Sequence, residues 1–172
     1  MAKDWLFIEN NTICDVRVVG VLLRDGKVLI QRDADGGEYA LPGGHIHIGE
    51  TLEEGLIREY AEETGAKIRC ERMLWTEECF WEWNGRKAHN LAFYYLISLN
   101  PGSDIPDTGE FVPHKDNGNV VLGWLPAEEI PHVTIYPEFV KENVHSKWRQ
   151  TFLWSVAVRF LHLWKLSGYF LE

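Results

Sequence analysis

The chain has 172 residues, 45 % hydrophobic and 25 % charged, which excludes a disordered chain and predicts a single domain spanning 1–172 with its own core. A formal net charge of −9 argues against a nucleic-acid partner, which would call for a basic face. Three cysteines without CxxC spacing argue against a disulfide framework, and no apolar run is long enough for a signal peptide or a membrane span, so a soluble, cytoplasmic protein with no membrane partner is expected.

In chain order, the run from Asp15 to Asp33 holds two aliphatic, β-branched stretches separated by Arg24-Asp25-Gly26-Lys27, and reads as a hairpin with Asp-Gly at its turn. A Gly-rich loop, Asp33 to Glu38, follows. It begins like a calcium loop, but Gly37 stands where a third ligand belongs. Thr51 then caps a helix, with Glu54 completing a capping box, Leu52, Leu56 and Tyr60 forming an apolar stripe, and Gly65 stopping it. Two further strands flank Asn84-Gly85, a polar loop follows, and Val120 to Pro126 begins a short strand leading into a turn. Residues from about 145 to 165, with Trp148, Phe152, Val156, Phe160, Leu163 and Trp164, read as an apolar helix suited to core or homodimer packing. This order predicts an α+β sandwich around a mixed β-sheet.

Two features point to chemistry. From Gly44 the chain has the glycine spacing of a phosphate-binding P-loop, but Glu50 replaces the lysine, and a carboxylate repels phosphate. On the helix, Glu59, Glu62 and Glu63 lie at i, i+3 and i+4 and project from one side. They occupy the last turns, where the helix dipole disfavours negative charge by roughly 0.3–1 kcal/mol each. A solvated acidic face would explain the three alone. Together with a carboxylate-ended glycine loop they point to a bound cation.

The stretch GGHIHIGETLEEGLIREYAEETGA resembles the Nudix box: Gly44, five residues, Glu50, seven residues, Arg58-Glu59, then Glu62-Glu63 and Gly65. The box ends at Ala66, and all its defining Gly, Glu and Arg residues are in register. The resemblance implies the Nudix-type α/β/α sandwich and a metal-dependent hydrolase of the Nudix (MutT-like) family. The substrate would be a small molecule, a nucleoside diphosphate linked to another group, such as a nucleoside triphosphate or a nucleotide sugar. It also implies that Glu59, Glu62 and Glu63, with the Gly44 carbonyl, bind Mg²⁺ or Mn²⁺. Glu50 would assist from the loop, Arg58 would hold Glu59 by an ion pair, and Glu59 would orient or deprotonate the attacking water.

The match is imperfect at His47, where many members have Glu, and at Tyr60 and Ala66. His45-Ile46-His47 also starts like a cupin metal motif, but no Glu follows at the required spacing and a capped helix follows instead. Arg32 is a candidate for substrate phosphates, and His89 for a substrate-facing strand position. Asp116, with Glu110 behind it, is a candidate for the late acidic residue that often serves this family as base or ligand. Trp75, Trp81 and Trp83 are the rings that would stack on a base or else pack in the core. A Nudix fold can also serve as a non-catalytic nucleotide sensor. Such modules commonly lose box carboxylates, and this chain keeps them all.

Overall fold

The computed structural model describes residues 2–83, 85–143 and 153–158. Strands β1 (Leu6–Glu9), β2 (Thr12–Arg24) and β3 (Lys27–Asp33) open the fold, and β2 and β3 form the anticipated hairpin. At its turn Asp25 and Gly26 both have positive φ, 50° and 76°, as a two-residue turn matched to the strand twist requires. Short strands β4 (Tyr39–Ala40) and β5 (Gly43–His45) lead to helix α1 (Leu52–Thr64). The long hairpin β6 (Ile68–Trp83) and β7 (Arg86–Leu99) follows. Then come β8 (Val112–Pro113), β9 (Val120–Pro126), a 3₁₀ turn (Ile130–His132), β10 (Ile135–Tyr136), the short helix α2 (Val140–Asn143) and β11 (Leu153–Val158).

The sheet is mixed. Its main path runs β10-β4-β3-β2-β7-β6-β11, with β2–β7, β4–β10 and β6–β11 parallel. The central strands are apolar on both faces, as expected where both faces are covered. Val18 and Leu22 of β2 and Leu29 of β3 point to one side, with Leu56 and Tyr60 of α1. The residues between them, Val19, Val21, Val28 and Ile30, point to the other, where Ile130, Ile135 and Val140 cover them. Trp75 belongs to this second core, stacked on Tyr94 at 5.0 Å and edge-on to Phe139 at 4.7 Å, which settles its role as packing. The α+β sandwich anticipated from the element order is the observed architecture.

Part of the C-terminal expectation needs correcting. Most of the apolar helix placed at about 145–165 lies outside the described residues. The portion within them, Leu153–Val158, is a strand parallel to β6, with Leu153 opposite Trp75 and Val158 opposite Phe80. A short apolar run fits either period, and the edge of β6 offers backbone N–H and C=O groups that a strand can pair and a helix cannot. Among the described residues no helix is long and apolar enough to cross a membrane.

Helix α1 begins and ends as its sequence requires. Thr51 and Glu54 form the complete capping box, and Gly65 takes the left-handed conformation at φ 74°. Its seating on the sheet depends on Gly20, where Tyr60 is fully buried and donates its hydroxyl to the Gly20 carbonyl at 3.1 Å. A Cβ on Gly20 would lie 2.5 Å from the Tyr60 ring. Gly20→Ala is therefore expected to destabilise the fold by about 1–3 kcal/mol through overpacking, and less in a Tyr60→Leu background. Urea unfolding of the two singles and the double checks this, and additive losses would contradict it.

Candidate functional site

The box loop and α1 are joined by one guanidinium. Arg58 grips Glu50 through two hydrogen bonds, Nε to Oε1 at 2.9 Å and Nη2 to Oε2 at 3.0 Å. Its Nη1 donates to Glu59 Oε1 at 2.7 Å and Glu62 Oε2 at 3.0 Å, and Nη2 also donates to the His45 carbonyl at 2.8 Å. Only a planar fork of donors can meet so many acceptors. Glu50 further accepts from the His47 amide at 2.8 Å. The Arg58 hydrogen bonds hold the Glu50 carboxyl below its ordinary range. Glu50 thus faces Arg58 and serves as a strut between loop and helix.

Glu59 and Glu63 have the opposite electrostatic character. Burial pushes the Glu59 carboxyl up, although Arg58 and Arg17 pull the other way. Glu63 is 6 % exposed, and its carboxyl is raised well above the usual range by burial first, then by the charges of Glu59 and Asp116. Gly44 makes room for them, since a Cβ there would lie 2.3 Å from Glu59 Oε2. Gly43 is required for a different contact, the pairing of β5 on β2. Its φ is 141°, and a Cβ would lie 2.2 Å from the Val18 carbonyl oxygen.

These side chains line a cavity of about 140 Å³. Around it stand Arg17 from β2, Gln31 from β3, Gly43 and Gly44 from β5, the three α1 glutamates, and His114 and Asn117 from the loop between β8 and β9. That loop is tied to the end of α1. The Lys115 amide donates to the Glu63 carbonyl at 2.9 Å, and the Lys115 ammonium comes so close to Gly65 that a Cβ there would collide with it. Helix α1 has no basic residue in its last turn, so Lys115 brings the positive charge that the helix C-terminus favours.

The donor set suits a divalent cation. Gln31 Oε1, Glu63 Oε2 and His114 Nε2 are buried without a hydrogen-bond partner among the described residues, and all three residues line this cavity. An unsatisfied buried polar atom costs about 1–3 kcal/mol, so such a concentration marks a place shaped for a ligand. Among the described residues no three acidic, His or Cys side chains converge tightly enough to form a ready-made cation site. Glu62, with its side chain 50 % exposed, is drawn to Arg58 instead. Mutual repulsion of the carboxylates accounts for this spread, and a cation would oppose it.

Of the other residues singled out by sequence, Asp116 lies beside the cavity, its Oδ1 3.5 Å from His114 Nδ1. Glu110 is exposed in the loop before β8. Arg32 is not in the cavity wall; its Nη1 donates to the carbonyls of Asp33, Ala34 and Gly36, and its guanidinium covers Phe111. His89 stacks on Phe80 at 4.2 Å and contacts Glu78 at 3.0 Å, also away from the cavity. Trp81 donates to Asn90. His47 sits 3.4 Å from Asp4, which the N-terminal segment lays across the box loop.

Arg17, Gln31 and His114 carried no motif. Gln31 left one trace, a polar residue at the same strand parity as Leu29. Behind the cavity wall, Asn90 donates to Asp15 Oδ1 at 2.5 Å, and His45 Nε2 lies 3.3 Å from both Asp15 Oδ2 and Arg17 Nη1. Burial alone would raise the Asp15 carboxyl, but His45, Arg17 and Asn90 together bring it below its ordinary value.

A family description of the NUDIX domain matches residues 15–144. An RNA pyrophosphohydrolase of Wolbachia sp. subsp. Brugia malayi is 31 % identical over 140 residues, covering 70 % of this chain and 87 % of that protein. An ADP-ribose pyrophosphatase of Methanocaldococcus jannaschii is 43 % identical over 62 residues, covering 34 % of this chain and 37 % of that one. The chain spans well under half the length of several curated relatives it matches, 37 % or 38 % of three of them. A MutT protein structure from Bacillus halodurans superposes with a TM-score of 0.61 over 83 % of this chain and 89 % of that one, at 17 % identity, a likeness of fold.

Two outcomes follow from this geometry. Arg58→Lys is expected to cost about 3 kcal/mol in urea unfolding, because a single ammonium leaves Glu50 or Glu59 part-buried and unpaired. For Asp15, whose folded carboxyl is depressed, the stabilisation is present above the ordinary carboxylate value and lost as pH falls through the depressed one. The stability gap between wild type and Asp15→Asn should be constant near neutral pH and shrink below about pH 4. A gap that widens there would contradict the assignment.

Proposed function

The chain belongs to the Nudix family, and from that premise we propose that it is a divalent-cation-dependent hydrolase of the diphosphate linkage in a nucleoside diphosphate derivative. The observation that carries this reading is the pair Glu59 and Glu63, two carboxyls raised by burial and sharing one cavity wall with Gly44. Glu59, Glu62, Glu63 and the Gly44 carbonyl would hold Mg²⁺ or Mn²⁺. Such a cation, when bound, neutralises the diphosphate and activates water.

The remaining work belongs to the chain. Arg58 engages Glu59 Oε1 and so fixes the carboxylate that would orient or deprotonate the attacking water. Arg17 brings a second guanidinium to the cavity wall, and its charge already pulls on both Glu59 and Glu63. It would help hold a substrate phosphate. Nucleoside triphosphates and nucleotide sugars are the substrate classes we favour. The names of the relatives, an ADP-ribose pyrophosphatase and an RNA pyrophosphohydrolase, support the same bond type.

Product release from nucleoside triphosphates, nucleotide sugars, dinucleotides and ADP-ribose, with Mg²⁺ or Mn²⁺, tests the proposal. One class should turn over with wild type, and Glu59→Gln should lower kcat by about 10²–10⁴-fold. Equal turnover by the variant would remove Glu59 from the chemistry. No turnover of any class with cation bound would favour a nucleotide-binding module.

A further inference from the structure

Gln31, Glu63 and His114 are each at least 94 % buried, come from three separate elements and line one cavity. Each has a side-chain atom there without a partner: Gln31 Oε1, Glu63 Oε2 and His114 Nε2. The amide oxygen is an acceptor by chemistry, and Glu63 Oε2 is one in the ionised carboxylate that a cation would bind. The third is decided by its surroundings, because His114 Nδ1 faces two carboxylates, Asp116 Oδ1 at 3.5 Å and Glu63 Oε1 at 3.9 Å. A ring proton belongs on the nitrogen that faces carboxylate oxygen, which leaves Nε2 as a lone pair. Three lone-pair donors therefore share a wall with no partner among the described residues. An imidazole whose other nitrogen is held by a carboxylate is the usual arrangement of a metal-binding histidine.

We infer that Gln31, Glu63 and His114 form a mixed oxygen–nitrogen cation subsite that favours a first-row transition-metal dication over Mg²⁺. The inference rests on the proposed function, in which the α1 carboxylates hold a divalent cation, and adds two donors from outside the box. Mg²⁺ selects oxygen and sheds water reluctantly, whereas imidazole suits the transition metals. The loop that carries His114 is docked on α1 through Lys115, whose amide donates to the Glu63 carbonyl, so the nitrogen donor is held in step with Glu63.

The test uses Mn²⁺ as a paramagnetic probe on the full chain, read by electron spin-echo modulation from ¹⁴N, with Mg²⁺ affinity measured by competition. Wild type should bind Mn²⁺ more tightly than Mg²⁺ and show ¹⁴N coupling. His114→Ala should lose the coupling and weaken Mn²⁺ binding about tenfold, with much less change for Mg²⁺. Gln31→Met, which keeps the side-chain volume, should weaken Mn²⁺ binding while retaining the coupling. Mn²⁺ bound by wild type without ¹⁴N coupling, or coupling that survives His114→Ala, would overturn the subsite and leave the proposed hydrolase standing. No Mn²⁺ binding at all would overturn both.

Discussion

The placement of Glu59 and Glu63 at the C-terminal end of α1 is the constraint to which the surrounding structure responds. The helix dipole, burial and mutual repulsion all oppose two carboxylates there, and the raised carboxyls of both record that opposition. Each neighbouring element supplies something against it. Arg58 neutralises Glu59 from the helix itself, and Arg17 approaches from β2. Lys115 reaches the helix terminus from the far loop, and Gly44 withholds a side chain so that Glu59 fits. Glu50 is part of the same response. By taking up two of the Arg58 nitrogens it fixes the guanidinium that Glu59 needs, so a residue expected beside the cation acts as the support of a support.

What could be read in the sequence was local. The Asp25-Gly26 turn, the Thr51–Glu54 box and the Gly65 stop are each decided by the conformational needs of a few consecutive residues. The box spacing worked for the same reason: a helix places Glu59, Glu62 and Glu63 on one side whatever the rest of the chain does. The loop–helix clamp by Arg58 was half legible. Its contact with Glu59 follows from adjacency, but its grip on Glu50 and the His45 carbonyl depends on how the loop folds back.

The residues that sequence reasoning misplaced or missed depend on contacts distant in the chain. Arg32 was a candidate for phosphate because it is cationic and near the loop, yet three nearby carbonyls and a phenylalanine ring claim it. His89 was a candidate because it sits on a strand beside a turn, and the register of β6 on β7 sets it opposite Phe80 instead. His114 is held at the cavity by its own pairing with Val120 and by Lys115, which docks the loop on α1, a contact between positions about fifty residues apart that no motif encodes. The strand at Leu153–Val158 likewise depends on an open edge of β6 contributed by a distant segment.

Gln31 shows how a functional position can be distinguished from a structural one without a motif. Strand β3 reads Lys-Val-Leu-Ile-Gln-Arg-Asp, with Val28 and Ile30 filling one core and Leu29 the other. By parity Gln31 belongs with Leu29, against the helix, where an aliphatic side chain would fit the pattern and strand no acceptor. A polar amide with an unpartnered buried oxygen is the less stable choice at that position. The same holds for Glu63 on α1 and His114 on the loop. Three elements each sacrifice local stability, and all three do so at one cavity. Asp33, Glu38 and Arg72 also carry a buried atom without a partner among the described residues, but they do not line this cavity, where three such atoms meet. Their convergence beside Gly44 and Glu59 makes the site, rather than the fold, the reason they are there.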